Sequence, residues 1–358
     1  MSGGDGLAPP RVTPQVTPSP LRLRLDTQAL QQNWRALARM SGGAACGAAV
    51  KADGYGLGAP EVAARLGRAG CRDFFVSNWR EAEELAPLGL QVSVFHGVRD
   101  EDMPAALAGF ARPVLNTPDQ VTRWREAGGN PCDIMVDTGM NRLGLSVEEV
   151  RAGLLDGLRV ETLMSHLACA EDESPMNRRQ RDALAGLAGR TAARRLSLAN
   201  SAGITLGPDY RFDLTRPGLA LYGGVPRPEM GAHLRPVVRP EAQVIQRRRV
   251  PMGESVGYDA TWVAASDTEV AILNIGYADG YFRAFSDRGA AEWRGQNLPV
   301  IGRVSMDLLA VNADRAPGLR EGDWVGVAFD LPTQSAASGL SQYELLTGLG
   351  SRYDRLWS

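Results

Sequence analysis

Lys51 is the residue of this chain whose setting most clearly points to chemistry. It follows a short apolar run at 48–50 and opens the glycine-rich segment 51–58, which reads Lys-Ala-Asp-Gly-Tyr-Gly-Leu-Gly. An amine held in an apolar pocket has its charged form disfavoured, so the neutral nucleophile that forms a Schiff base becomes available near neutral pH. The glycines let backbone N–H groups come close to a ligand. For a strand-end lysine taken alone, a solvated lysine before a turn is the commoner case.

The composition favours a small molecule as the partner. Of 358 residues, 39 are basic and 41 are acidic, and no basic run is interleaved with aromatic residues. A nucleic-acid groove or an anionic membrane surface therefore has little support, and no segment is long and apolar enough to span a bilayer. The four cysteines form no C-x-x-C pair and come with three histidines. This pattern predicts no metal site and no disulfide framework, and it favours free thiols in a reducing cytoplasm.

Short apolar runs alternate with helical patterns from residue 44 to about residue 223. The runs predict eight strands, at 44–50, 73–77, 91–95, 112–116, 132–137, 159–166, 195–200 and 212–216. The segments between them are mostly long enough for crossover helices, which we expect at 60–69, 80–88, 118–127, 147–155 and 176–194. Eight such units predict an α/β fold with a TIM-type (β/α)8 barrel.

The rest of the chain divides around this barrel. Residues 1–20 hold Gly, Pro, Thr and Ser without an apolar core, which predicts a disordered N-terminal tail. Because single cores seldom grow past about 250–300 residues, we expect two domains. We place the barrel at 21–235. A smaller C-terminal all-β domain is expected at 236–358, because β-rich runs with turns recur there, at 269–275, 298–303, 308–312 and 324–328.

Five polar residues lie at or just after predicted strand ends, namely Lys51, Arg142, His166, Ser201 and Arg216. In a TIM-type barrel, catalytic groups lie at the C-terminal ends of the strands, where the following loops converge. We therefore expect these side chains to meet at one end of the barrel. Two of them also have ordinary interpretations: His166 could be a barrel histidine bonded to backbone, and Arg216 could pair with a barrel carboxylate.

Several blocks of the sequence, in order, resemble those of the alanine racemases, which are fold-type III pyridoxal 5'-phosphate enzymes. The resemblance runs from about Leu21 to Arg352, in the blocks 50–58, 136–144, 165–168, 199–202, 216–223, 257–261, 275–280 and 302–307. It implies an isomerase that interconverts L-alanine and D-alanine with pyridoxal 5'-phosphate as cofactor. It also implies a head-to-tail homodimer in which each active site joins one chain's barrel to the other chain's β-domain. The first strand, at 21–26, would then join the C-terminal domain.

Racemisation requires two acid–base groups on opposite faces of the amino acid, one to remove the α-proton and one to return a proton. The resemblance implies that Lys51 holds the cofactor as a Schiff base, is displaced by the substrate amine, and then handles the proton on the D-alanine side. Tyr258 of the second chain would serve the L-alanine side. A phenol is a weak acid, so Tyr258 needs a neighbour that stabilises its phenolate or accepts its proton. His166 matches the histidine that has this role in the family.

The remaining matches concern the cofactor and the substrate. Arg216 matches the arginine that faces the pyridine nitrogen; because a guanidinium keeps its proton, the ring nitrogen would stay unprotonated, which limits side reactions. Arg142 matches the residue whose fork of donors binds the substrate carboxylate, and Met306 of the second chain matches one that adds a backbone amide. The resemblance assigns the cofactor phosphate to Tyr55, Ser201, Gly218 and Leu219.

The chain departs from the family pattern at several places, among them Ser305, where several relatives have cysteine. Met135 stands where many relatives carry a lysine that can be carbamylated and then hold the substrate-binding arginine. Since a thioether carries no charge, we hypothesise a chloride ion near Arg142, and a protein carboxylate in that place would count against it. Asp259 follows the catalytic tyrosine where glycine is common, and it could repel a phenolate. The family's late phosphate-binding tyrosine is ambiguous, because Ser351 occupies its position while Tyr353 lies nearby.

Other functions compete with the supply of D-alanine for cell-wall peptidoglycan. A racemase of the same fold for serine, lysine or arginine would share the chemistry and differ in the width of the pocket. A non-catalytic pyridoxal-phosphate-binding protein of the single-barrel type lacks a β-domain, so the block around Tyr258 argues against it. A decarboxylase of the same barrel type would place an acidic residue at the pyridine nitrogen, which Arg216 disfavours.

Overall fold

The structure is a computed structural model that describes residues 17–128 and 130–358. Most of the predicted tail at 1–20 therefore lies outside the described residues. The strands are β1 (Leu21–Leu25), β2 (Ala45–Cys46), β3 (Ala48–Ala49), β4 (Asp73–Val76), β5 (Gln91–Val94), β6 (Arg112–Leu115), β7 (Cys132–Asp137), β8 (Leu145–Ser146), β9 (Val160–Met164), β10 (Arg195–Ser197), β11 (Leu214–Thr215), β12 (Val238–Val250), β13 (Ser255–Val256), β14 (Trp262–Val263), β15 (Thr268–Leu273), β16 (Ala290–Trp293), β17 (Gln296–Ile301), β18 (Leu309–Asn312), β19 (Trp324–Val327) and β20 (Asp354–Trp357). The α-helices are α1 (Thr27–Met40), α2 (Lys51–Tyr55), α3 (Ala59–Ala69), α4 (Trp79–Leu85), α5 (Met103–Leu107), α6 (Pro118–Glu126), α7 (Val147–Arg151), α8 (Pro175–Ala185), α9 (Leu331–Ser338) and α10 (Gln342–Thr347).

A parallel barrel occupies the first part of the chain. Its strands follow the order β2-β11-β10-β9-β7-β6-β5-β4-β3, and the short β8 pairs with β7. The strands β2 and β3 are adjoining halves of one strand: β2 pairs with β11 and β3 pairs with β4, which brings the two ends of the sheet together. A Cβ on the intervening Gly47 would lie 2.8 Å from Phe75 Cε2 and 2.9 Å from Asp73 O, so the packing requires a glycine there. The predicted TIM-type barrel is confirmed.

Two crossover helices end earlier than the sequence predicts. The helix expected at 147–155 begins with a capping box between Ser146 and Glu149 and stops at Arg151, and Gly153 lies just beyond at φ +85°. The helix expected at 176–194 ends at Ala185. Glycines follow both ends, Gly153 after α7 and Gly186 and Gly189 after α8, and they weaken the helical pattern that the apolar spacing suggests.

An eight-stranded β-sheet forms the second unit, in the order β15-β18-β17-β16-β19-β12-β1-β20. All four predicted runs contain strands of this sheet, which confirms the smaller β-domain. Strand β1 pairs antiparallel with β12 and parallel with β20, far from the barrel strands that follow it in the chain. We propose a domain boundary between residues 235 and 236. The sequence pattern did not predict α1, α2, α5, α9 or α10.

Helix α10 and the last strand support the barrel end where Lys51 lies. The side chain of Gln342 accepts a hydrogen bond from Val225 N–H at 2.8 Å and donates one to Val225 O at 2.9 Å. The guanidinium of Arg355 donates two hydrogen bonds to Gly56 O, at 2.7 and 3.0 Å. The β-domain therefore fixes the loop of the barrel that carries the lysine in the same chain. Among the described residues, no helix combines the length and the apolar character needed to cross a membrane.

Candidate active site

Lys51 lies at the end of the first barrel strand, and a turn of left-handed backbone follows it. Residues 52–55 have φ values of 52°, 52°, 61° and 57°. For a residue with a side chain this conformation costs about 1–2 kcal/mol, and only one of the four is glycine. Asp53 Oδ1 accepts a hydrogen bond from Ala59 N–H at 2.8 Å, and Glu81 Oε1 accepts one from Ala52 N–H at 2.9 Å. These carboxylates compensate part of the strain in the turn.

A cavity of about 250 Å³ opens at the carboxyl end of the barrel, beside Lys51. Burial and the nearby charge of Arg142 lower the pKa of Lys51, and the charge of Glu81 opposes them in part. This direction agrees with the expected nucleophilic amine. Lys51 is also the only lysine in the sequence. The other residues that line the cavity are Ser77, Phe95, His96, Met135, Val136, Asp137, Met140, Arg142, Leu143, Ser165 and His166.

His166 lies in the same cavity, and its imidazole is neutral at pH 7. Burial, and then the positive charges of Arg216, Arg142 and Lys51, lower the pKa of His166 to about 3. A neutral imidazole can donate or accept one hydrogen bond at each nitrogen, but this one would not retain a proton taken from a phenol.

Gln180, on α8, supports the loop that carries His166. It is fully buried, and its Nε2 donates hydrogen bonds to His166 O at 2.8 Å and to Thr138 Oγ1 at 3.3 Å. Its Oε1 accepts a hydrogen bond from Ala168 N–H at 2.9 Å. One amide thus joins the loops that follow β7 and β9.

Gln180→Met should lower the free energy of unfolding by about 1–3 kcal/mol, because two backbone groups would lose their buried partner. Denaturant unfolding monitored by circular dichroism measures this change. The matched control is Arg178→Met on the exposed face of the same helix, which should change the value by less than about 0.5 kcal/mol. Equal stability of the Gln180 variant and the control would contradict the supporting role.

Arg216 is buried inside the barrel and keeps its charge at neutral pH. Its guanidinium donates hydrogen bonds to Ser197 Oγ and, at 2.5 Å, to Ser165 O. Burial lowers the pKa of Arg216 to about 10, against the opposing charge of Asp133. Within residues 17–128 and 130–358, Arg216 forms no ion pair with a carboxylate. The alternative interpretation, an arginine paired with a barrel carboxylate, therefore has no support in this part of the chain.

A polar cradle lies at the same barrel end, beyond β11. Ser201 Oγ accepts hydrogen bonds from Gly218 N–H at 3.0 Å and Ala220 N–H at 3.2 Å. A Cβ on residue 218 would lie 2.2 Å from the hydroxyl of Tyr55, so glycine is needed for this close approach. The buried Leu219 follows directly. Hydroxyl and backbone donors of this kind fit a phosphate group, so these residues are compatible with the cofactor that the sequence implies.

Tyr258 and Met306 lie on the β-domain, away from the Lys51 cavity. They are 67% and 53% exposed, respectively. Tyr258 lines a cavity of about 610 Å³ together with Ser305 and Leu308, the neighbours of the Met306 loop. Neither Tyr258 nor Met306 lines the Lys51 cavity. Within one chain, the expected site residues therefore fall into two groups: the barrel unites Lys51, Arg142 and His166, and the β-domain holds the other two.

The negative charge of Asp259, next to Tyr258, is neutralised by an ion pair. Its carboxylate pairs with Arg303 Nη1 at 2.5 Å, and its φ of +60° is one that aspartate tolerates better than most residues. The expected repulsion of a phenolate is therefore offset by a neighbouring cation. Arg303 was not singled out in the sequence, although it lies inside one of the blocks quoted above.

Two departures from the family pattern, at Met135 and Ser351, concern the partner of Arg142 and a contact to the cofactor phosphate. Arg142 is exposed, and no carboxylate among the described residues pairs with it. Because Lys51 is the only lysine, no other lysine can be carbamylated in place of Met135. Tyr353 is buried and donates its hydroxyl proton to Asp279 O at 2.9 Å, whereas Ser351 is exposed.

A parallel barrel with a lysine in a cavity at its carboxyl end, joined to an antiparallel β-domain, defines a class of two-domain barrel enzymes. The family model for the N-terminal domain of alanine racemase matches residues 25–226, and the model for its C-terminal domain matches residues 237–357. The chain belongs to the alanine racemase family.

Individual relatives agree with this assignment. Alanine racemase of Acidiphilium cryptum is 41% identical and is aligned over 93% of this chain and 98% of its own length. Biosynthetic alanine racemase of Agrobacterium fabrum is 37% identical, over 97% and 96% of the two chains. The crystal structure of alanine racemase from Bartonella henselae with covalently bound pyridoxal phosphate superimposes with a TM-score of 0.88 at 33% identity, covering 95% of this chain and 100% of that one.

Proposed function

We propose that this chain interconverts L-alanine and D-alanine, with Lys51 and Tyr258 of a second subunit as the two acid–base groups. The observation that carries the proposal is the position of the sole lysine, which lies with lowered pKa in one cavity with Arg142 and His166. Relatives named alanine racemase support the substrate.

The residues present fit pyridoxal 5'-phosphate as the cofactor. Lys51 would hold its aldehyde carbon, and the cradle of Tyr55, Ser201, Gly218 and Leu219 would hold its phosphate. When bound, this cofactor withdraws electrons from the α-carbon of an attached amino acid and so acidifies the α-proton. Arg216 would face the ring nitrogen as a hydrogen-bond donor that stays charged, which tempers that withdrawal.

The proton transfers fall to two residues of this chain. The Nζ of Lys51 would remove or return the proton on the D-alanine side, and the lowered pKa makes its neutral form available for removal. The phenolic oxygen of Tyr258 would serve the opposite face. His166, neutral at pH 7, would stabilise the phenolate through a hydrogen bond rather than by taking the proton. Arg142 would bind the substrate carboxylate, with the backbone amide of Met306 from the second subunit.

The separation of the two groups within one chain supports a homodimer. Tyr258 is exposed on the β-domain and absent from the lining of the Lys51 cavity, so a second copy is needed to bring a tyrosine to each lysine. Isologous pairing of two barrels with two β-domains would complete two sites at once. We further propose a role in supplying D-alanine to the cell wall, in the cytoplasm, where the free thiols of Cys46, Cys71, Cys132 and Cys169 would stay reduced.

Incubation with enantiopure alanine in deuterium oxide tests this function. The purified protein, supplied with pyridoxal phosphate, should convert L-alanine to D-alanine and place deuterium at the α-carbon, as measured by chiral chromatography and mass spectrometry. Faster conversion of L-serine, L-lysine or L-arginine would assign the same chemistry to another substrate. A protein that binds the cofactor, as borohydride trapping reports, but exchanges no α-proton would refute the racemase and favour the non-catalytic binding protein.

A further inference from the structure

The turn after Lys51 is held by a carboxylate that no step of the proposed reaction uses. Oε1 of Glu81 accepts a hydrogen bond from Ala52 N–H at 2.9 Å, and its Oε2 accepts one from Ser77 N–H at 2.7 Å. Ser77 follows β4, and Glu81 lies in the first turn of α4. The carboxylate therefore fastens the backbone next to Lys51 to the end of the neighbouring strand.

These two hydrogen bonds to Glu81 are important because the turn after Lys51 is strained. The left-handed backbone at 52–55 includes three residues with side chains, and it needs surrounding contacts to persist. Asp53 ties the far end of the turn to Ala59. The near end, adjacent to Lys51, is held by Glu81 and by a hydrogen bond from Gly54 N–H to Val50 O at 2.9 Å. A carboxylate that bonds two backbone N–H groups makes strong, charge-assisted hydrogen bonds.

The charge of Glu81 also acts on the amine. No carboxylate of the described residues lies within ion-pair distance of Lys51 Nζ, so the effect acts through space. The negative charge of Glu81 raises the pKa of Lys51, while burial and Arg142 lower it. The charged and titratable groups that surround the amine are Glu81 from α4, His96 after β5, Asp137 at the end of β7, Arg142 in the loop after β7, and His166 after β9.

We propose that Glu81 is a positioning residue for Lys51, which fixes the turn that aims the amine into the barrel and keeps the protonated amine accessible during turnover. The proposal rests on the acid–base role proposed for Lys51, since a group that removes a proton and later returns one must be available in both forms. Burial and neighbouring cations both act against the protonated amine, and the charge of Glu81 opposes them.

The sole lysine makes a direct test feasible. Protein labelled with ¹³C at the lysine ε-carbon should give one lysine signal, whose chemical shift against pH reports the titration of Lys51 without cofactor or substrate. In Glu81→Gln, the midpoint should move to lower pH, because a charge that favours the ammonium is lost. The matched control is Glu83→Gln, an exposed position on the same helix, which should leave the midpoint where it is.

The direction of the change separates the proposal from a purely structural role. A turn that merely loosened would let water reach the amine and move the midpoint to higher pH, so an upward or absent change in Glu81→Gln overturns the proposal. Glu81→Asp keeps the charge but cannot span both amides. Its midpoint should therefore not move to lower pH, and a downward shift equal to that of Glu81→Gln also overturns the proposal.

A second readout tests the fastening of the turn. Both Glu81 variants should bind pyridoxal phosphate about tenfold more weakly than the wild type, as expected for the loss of one charge-assisted hydrogen bond, and Glu83→Gln should not. Unchanged affinity in both variants contradicts the positioning role. The titration of Lys51 is read from the protein alone, so it succeeds or fails independently of whether alanine is the substrate.

Discussion

Lys51→Ala is expected to lose covalent attachment of the cofactor and to racemise alanine at least ~10⁴-fold more slowly than the wild type. The effect is large because one amine is proposed to do two tasks, holding the cofactor and moving the proton on the D-alanine side. The sequence has no other lysine to take its place. Borohydride reduction followed by peptide mass spectrometry should find one trapped cofactor at residue 51 in the wild type and none in the variant.

A double variant separates the position of the amine from its presence. Lys51→Ala with Arg68→Lys restores one lysine to the chain, on the exposed face of α3, where no cavity desolvates it. Neither trapping nor racemisation should return. Trapped cofactor on the new lysine, or undiminished racemisation in Lys51→Ala alone, would refute the assignment of the reactive amine.

The sequence predicts the barrel end of the site well, for a physical reason. Parallel strands read as continuous apolar runs because both their faces are buried, so the ends of those runs mark where Lys51, Arg142 and His166 emerge. The carboxyl ends of all barrel strands lie on one side. Their meeting in one cavity therefore follows from the strand pattern, before any resemblance is considered.

The supporting residues could not be predicted in the same way. Glu81 bonds the backbone N–H of a residue 29 positions away, and Gln180 bonds a carbonyl 14 positions away. Such contacts depend on the packing of helices against strand ends, and a backbone partner leaves no trace in the sequence. A glutamate in the first turn of a helix and a glutamine on α8 have ordinary local explanations. The sequence therefore does not indicate that they also bond the backbone of a distant loop.

The β-domain half of the site escaped the strand pattern altogether. Tyr258 stands in a short turn and is mostly exposed in one chain, so composition and periodicity offer no signal of the catalytic role that we propose for it. In the proposed dimer, the surface that completes its surroundings belongs to another copy of the chain. Only the quoted block around residues 257–261 pointed to it, and the open cavity beside Arg303 agrees with a surface that awaits a partner.

Tyr258→Phe should suppress exchange of the α-proton of L-alanine by about 10³-fold while slowing exchange from D-alanine by less than about tenfold. The removed hydroxyl serves one face only, and Lys51 remains on the other. Proton exchange from each enantiomer in deuterium oxide, followed by mass spectrometry, measures both rates. The control is Tyr210→Phe, a tyrosine of the barrel outside both cavities. Equal, full exchange from both enantiomers would remove Tyr258 from the mechanism.

The same variant decides whether two chains share each site. In a dimer of one Lys51→Ala chain and one Tyr258→Phe chain, one site carries both substitutions and the other carries neither. Random mixing gives half mixed dimers, each with one intact site, so two nearly inactive proteins should together recover about a quarter of the wild-type activity. If lysine and tyrosine instead met within one chain, every site would keep a substitution, and co-expression of the two variants would restore nothing.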